Sequence, residues 1–205
     1  SLSQWSALLE RSSTNGQGPY AMVQHQALQR AGTIALRQTQ LGLGYDLATR
    51  TGCSQRLGLD LQHTSYPTTP LQNGRYTGLL GHTHCPASDL QVQLRLGEDQ
   101  PFDATRPGGA QHQASLRISK TTPVSAAKLA LEWEATRQQD QTGYSTLLDN
   151  QAIRALWRTV YRAEVRWQAG ALNPYLGFEW LDQHSNLPLF ELKSRVITLG
   201  LRASW

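Results

Sequence analysis

The chain has 205 residues, of which 39% are hydrophobic, and a formal net charge of +4. That is about one domain's worth of chain. No run approaches the ~18–20 apolar residues of a membrane helix, and no basic run interleaved with aromatics points to nucleic acid. The mean hydropathy is −0.46, a value that a soluble β-protein and an alternating membrane barrel share, because a barrel averages lipid-facing with lumen-facing residues. The chain begins without an initiator Met or a signal peptide. It is therefore read as a mature chain or a fragment of a longer one.

Residues 1–17 are read as a short helical lead-in or periplasmic plug, since Trp5, Leu8 and Leu9 have the spacing of a short amphipathic helix. Residues 18–205 are read as the barrel. Tyr20–Arg30 reads as a weak strand. After it, Leu41, Leu43, Tyr45 and Leu47 share one face, as do Leu57, Leu59 and Leu61. In Arg75–His84, Tyr76 and Leu80 are assigned to the apolar face. Leu90, Val92, Leu94 and Leu96 alternate with polar neighbours, as do Ala114, Leu116 and Ile118, and then Leu129, Leu131 and Trp133. In the segment 157–169, Trp157, Tyr161, Val165 and Trp167 oppose Arg158, Arg162, Glu164 and Arg166, and Leu176, Phe178 and Trp180 follow. This period of two is the signal of strands with one apolar and one wet face. Trp157 and Trp167, ten positions apart, span roughly 25 Å of membrane normal at a tilt of ~40°, the height of an apolar band between aromatic girdles. The girdle set is Trp133, Trp157, Trp167, Trp180 and Trp205.

The connections alternate in length. Thr49–Cys53, Cys85–Ser88, Thr121–Ser125 and Gly170–Asn173 are tight, whereas Pro67–Gly74, Gly97–Gly109, Gln138–Arg154 and Asp182–Glu191 are longer. Outer-membrane barrels sort their turns in this way, short on the periplasmic side and long outside. The expected fold is all-β, an antiparallel up-and-down transmembrane β-barrel of about ten strands, within a range of eight to fourteen. An even count returns the N-terminus to the periplasm. A soluble β-sandwich or lipocalin-like barrel is the competing fold, with the Leu face inside. Cys53 and Cys85 sit at the open end of one presumed hairpin, near enough for a disulfide made in an oxidising compartment.

The last residues, Thr198, Gly200, Ala203 and Trp205, match in spacing the signal that closes bacterial outer-membrane barrels. The preceding stretch carries a further likeness. Asn173-Pro174, the alternating strand through Trp180, the loop Ser185-Asn186-Leu187-Pro188-Leu189-Phe190 and then Arg195 resemble the C-terminal strands of the surface lipoprotein assembly modifier family. That resemblance implies a barrel, linked to a periplasmic helical-repeat domain, that helps place a client protein on the cell surface. Outer-membrane lipid, the barrel-assembly machinery and a protein or polysaccharide client are the partners expected, in the outer membrane of a Gram-negative bacterium. Exopolysaccharide export and a small-solute porin are the alternatives.

The charges expected on the inner face are Arg56, Asp60, Arg95, Arg117, Lys128, Glu132, Glu134, Arg158, Arg162, Glu164, Arg166, Glu179 and Arg202. They line a path and set its selectivity, or pair and fill a narrow barrel. No enzyme activity and no cofactor are expected. His63 and Ser65 are the one catalytic alternative: an outward His-any-Ser pair near the extracellular end could hydrolyse lipid, with Asn73 or Tyr76 orienting the His. Asp182-Gln183-His184 is read as loop, since the paired aspartates of outer-membrane proteases are missing. His82, His84 and Cys85 could bind a metal only if Cys85 were reduced.

Overall fold

The computed structural model describes residues 2–10, 17–30, 33–48, 52–145, 147, 151–167 and 172–203. It is one antiparallel sheet of eleven strands whose spatial order is their chain order: β1 (Leu2–Glu10), β2 (Gly18–Arg30), β3 (Thr33–Ala48), β4 (Ser54–Ser65), β5 (Gly74–Cys85), β6 (Leu90–Pro101), β7 (Gln111–Val124), β8 (Ala127–Gly143), β9 (Ile153–Trp167), β10 (Leu172–Ser185) and β11 (Leu192–Ala203). Every neighbour is a hairpin partner, the simplest up-and-down arrangement. Among the described residues β1 and β11 do not pair, so a seam separates the first and last strands.

The ten strands from Tyr20 onward are present as expected, with an eleventh before them. The expected helical lead-in is not there. Leu2–Glu10 is extended and pairs along its whole length with β2, from Leu2↔Leu28 to Glu10↔Tyr20. Trp5 and Leu9 are exposed on one side, with Ala7 between them. Leu8 obscured this alternation in the sequence, and a sheet edge supplied the backbone partners that local spacing cannot reveal. With eleven strands, the start of β1 lies at the opposite end of the sheet from the C-terminus.

The sheet is inverted relative to a water-soluble β-protein. Its leucine faces point outward: Leu57, Leu59 and Leu79 are more than half exposed, and so are Leu199 and Leu201. The opposite, polar face is the covered one. Asp60 is 1% exposed, Tyr20 4% and Tyr76 7%. A cavity of about 240 Å³ is lined by side chains from β4 through β8, so the sheet curls with its polar face on the concave side. β5 corrects one expectation. Tyr76 faces inward and Leu79 outward, so the assignment of Tyr76 and Leu80 to the apolar face had the parity reversed. Gly74, Gly78 and Gly81 interrupt the side-chain pattern of this strand, and the register with β4 (Asp60↔Gly78, Leu59↔Leu79) fixes it.

From β3 onward the connections are sorted by side, with shifted limits; before it the pattern is reversed, with two residues between β2 and β3 and seven between β1 and β2. Ser125 and Ala126 alone join β7 to β8, Ser125 taking a positive φ of 54°. At the other end, β6 runs on to Pro101, β8 to Gly143 and β10 to Ser185, through polar residues read as loop. Cross-strand pairing holds these polar extensions in the sheet, as in Glu98↔His112 and Gln138↔Leu156. The long connections, 66–73, 102–110, 144–152 and 186–191, lie at this end. Cys53 and Cys85 form a disulfide at the short-turn end.

Candidate functional site: the polar inner face

The inner face divides into two halves of different chemistry. The first, on β2–β6, repeats one construction. Tyr20 lies over glycines of the next strands: a Cβ at Gly44 would stand 2.7 Å from its ring. The Arg56 guanidinium sits 4.2 Å above the Tyr20 ring and is anchored to Asp46 at 2.7 and 2.8 Å. Tyr76 repeats this, with its hydroxyl 2.5 Å from a Cβ at Gly78 and 2.6 Å from one at Gly97. Arg95 covers the Tyr76 ring at 5.1 Å and is paired to Asp60. Asp60 also accepts from Gln40 at 2.8 Å. A third joint sets Tyr175 against Gly200. Each glycine leaves the hollow into which a ring fits, so the rings fill space across two or three strands.

The second half, on β7–β11, is an ion-pair lattice. Arg162 on β9 reaches Glu179 on β10 at 2.6 Å and both Glu132 and Glu134 on β8. Glu132 also binds Arg117 on β7, and Arg166 pairs with Glu164 at 2.6 Å. Four strands are thereby cross-linked. All of these but Glu134 line a cavity of about 760 Å³ together with Tyr175, Gly177 and Thr198. Lys128 and Arg158 have no ion-pair partner among the described residues, which leaves fixed positive charge beside the lattice. Val160, fully buried between Arg158 and Arg162, is apolar on this face, as are its cross-strand neighbour Leu181 and Leu156.

Thus twelve of the thirteen expected inner-face charges are on strands with that parity, and most are paired. The side chain of Arg202 lies outside the described residues, as does Trp205; Asn173↔Arg202 pair through their backbones. Tyr20, Tyr76, Asp46 and Gln40 were missed. Their signal was present in the polar-face glycines: Gly44, Gly58, Gly78 and Gly97 alternate with leucines where a chain of long polar side chains would otherwise be expected.

The long-connection end is capped by its own contacts. Arg106 bridges Asp99 at 2.8 Å and the Gly109 carbonyl at 2.8 Å. Arg154 holds Asp140 at 3.1 Å and covers Tyr144 and Phe190, whose rings meet edge to face at 4.7 Å. In the loop after β6, Asp103 accepts from both the N–H and the hydroxyl of Thr105, which holds its carboxyl below the usual range.

On the outer face, Trp157, Trp167 and Trp180 are exposed. Trp133 and Trp180 flank Tyr161 in register, and Tyr161 stacks on Trp180 at 5.6 Å. These three form a row between the levels of Trp157 and Trp167. His63 and Ser65 face outward near the long-connection end, as expected. The His63 ring packs on Phe102 at 4.9 Å, and no hydrogen bond joins it to Ser65 among the described residues. Tyr76 is on the opposite face, and Asn73 accepts from the Tyr66 N–H, so neither orients the imidazole. His184 lies 3.3 Å from Asp182 on the outer wall. His82 and His84 face inward, and Cys85 is committed to the disulfide; no cluster of metal-binding side chains occurs among the described residues.

No protein-family model matches the chain, and no curated protein or solved structure is similar to it.

Proposed function

We propose that this chain is an outer-membrane β-barrel that assists the passage of a client, a surface lipoprotein or secreted protein, to the cell surface. The observation that carries the membrane part is the inverted polarity of the sheet. Leucines and tryptophans cover the outside, while carboxylates, guanidinium groups and glutamines are inside. In water this arrangement exposes a continuous apolar surface far beyond the few hundred Å² that a monomer tolerates; in lipid it is the stable one. Connections sorted by length from β3 onward support an orientation with the short turns and the disulfide periplasmic. The resemblance of Asn173–Arg195 to surface lipoprotein assembly modifiers supports the client role. The seam supplies a route: two unpaired strand edges can take up an extended segment by strand addition.

Two measurements test the two parts. In cells, Leu147→Cys in a long connection reacts with an impermeant maleimide, and Ala126→Cys in the β7–β8 turn reacts only after the membrane is opened. Equal labelling of both sinks the orientation. A photo-crosslinker at Ala7 on β1 or Leu199 on β11 captures a client whose surface delivery depends on this chain, while one at Leu59 in the mid-wall captures none. Capture at all three sites, or at Leu59 alone, removes the seam from the mechanism.

The cavity of about 760 Å³ favours one second reading, a small-solute pore. Steady single-channel conductance in a planar bilayer, altered by Arg162→Gln, would establish it; a sealed bilayer supports a filled interior.

A further inference from the structure

The outer face carries a charge asymmetry that client transfer does not use. In its long-connection half, Arg37 on β3, Arg75 on β5, Arg137 on β8 and Lys193 and Arg195 on β11 share the parity of the outward leucines and outnumber the carboxylates there, Glu98 and Asp182, the latter 3.8 Å from Lys193. In the short-turn half, the outward cation among the described residues is Lys120. The histidines follow the same division: His25, His63, His112 and His184 face outward toward the long connections.

The tightest group is on three adjacent strands. Arg37 is in register with Ser65, and His63 with Arg75. Two guanidinium groups thus flank the His63-Thr64-Ser65 segment, with an imidazole and a hydroxyl between them. Arg37 is exposed and has no ion-pair partner among the described residues. Arg75 donates to the neutral amide of Gln100 at 2.9 Å, which leaves its charge uncompensated. Glu98, the outward carboxylate on β6, accepts from the Gln100 amide at 3.3 Å and lies 3.8 Å from His112, so it reaches Arg75 only through Gln100. Toward the short turns the same three strands present Leu41, Leu59, Leu61 and Leu79. A ligand for this surface needs two ends: an anion at the level of the arginines and hydrocarbon over the leucines.

We infer that Arg37, His63, Ser65 and Arg75 form a binding site for the phosphate-bearing headgroup of an anionic lipid in the leaflet on the long-connection side. The inference rests on the membrane-barrel reading. The guanidinium groups supply charge-assisted hydrogen bonds to phosphate, in the forked geometry that suits its oxygens. The acyl chains lie along the leucines. The His-any-Ser pair then contacts a headgroup and carries no nucleophilic step.

The test uses the whole chain, folded in detergent micelles and released for native mass spectrometry with a diphosphorylated diglucosamine lipid added. The wild type is expected to retain this lipid. The Arg37→Ala/Arg75→Ala variant is expected to retain it about 25-fold less, since each surface cation contributes about five-fold. The dephosphorylated lipid is expected to be lost from both, and Lys120→Ala to behave as the wild type. Equal retention by the double variant, equal retention of the dephosphorylated lipid, or the same loss in Lys120→Ala overturns the site. The heat-modified gel band of each protein is read in parallel. A chain that folds as a barrel but does not discriminate refutes the lipid site alone. A wild type with no folded, heat-modifiable form refutes the barrel reading and the site with it.

Discussion

At the scale of single residues, the inner face is governed by shape first and charge second. The Tyr20 and Tyr76 hydroxyls have no hydrogen-bond partner among the described residues, so their joints with the glycines are joints of volume. Tyr20→Phe is accordingly expected to change stability by less than about 0.5 kcal/mol. Gly97→Ala is expected to cost about 1–3 kcal/mol, the range for overpacking. Its Cβ would fall 2.6 Å from the Tyr76 hydroxyl and 2.7 Å from the Gly78 backbone, and backbone cannot step aside. Urea midpoints of the refolded protein distinguish these outcomes; equal effects of the two substitutions would refute the volume account. The charge argument centres on Asp60, 1% exposed and held by Arg95 and Gln40. Arg95→Gln strands a buried carboxylate and is expected to cost roughly 3–5 kcal/mol, whereas adding Asp60→Asn recovers most of the loss. Additive losses in the double variant would mean that the pair is not a unit.

At the scale of elements, most strands were legible because a period of two survives in leucine and tryptophan. It runs without interruption through 41–47 on β3, 57–61 on β4 and 90–96 on β6, and on β9 it survives an inward Val160; the register follows from it. β5 was misread where glycine and threonine replace the outward apolar side chains, and β1 where Leu8 mimics helical spacing. The polar extensions of β6, β8 and β10 were read as loop because no apolar face marks them; only pairing with a neighbour makes them strand. The inner-face charges were legible as a face but not as a lattice. Parity places Arg162 inside, yet only the structure shows it spanning from Glu132 to Glu179. The disulfide was legible as geometry, since β4 and β5 bring Cys53 and Cys85 to one end of a hairpin. It closes a sequence separation of 32 residues, for which chain entropy gives roughly 3–4 kcal/mol. Cys53→Ser/Cys85→Ser is expected to lower the unfolding free energy by about that much, and reductant is expected to affect the wild type alone. A variant as stable as the oxidised protein would show that the unfolded chain keeps the hairpin closed.

At the scale of the whole molecule, the decisive question is what covers the leucines. The curled sheet admits two environments for its outer face, and they assign opposite consequences to one substitution. Leu59 is 52% exposed, faces outward from the middle of β4, and has Leu43 and Leu79 as cross-strand neighbours. If water covers this face, Leu59→Arg replaces one solvated side chain by another and shifts stability within about 0.5 kcal/mol. If lipid covers it, the guanidinium group enters the hydrocarbon near mid-height at a cost of roughly 2–4 kcal/mol. The cost should fall with distance from the middle, so Thr77→Arg, two residues nearer the long-connection rim on β5, is expected to be milder. Glu134→Arg on the inner face should behave differently again, since it disturbs the contact with Arg162 at 3.5 Å whatever the outside solvent. Unfolding in urea from lipid vesicles measures all three. A graded penalty on the outer face, largest at Leu59, supports lipid there; a flat response near zero at both outer positions refutes it and leaves an inverted sheet that some other partner must cover.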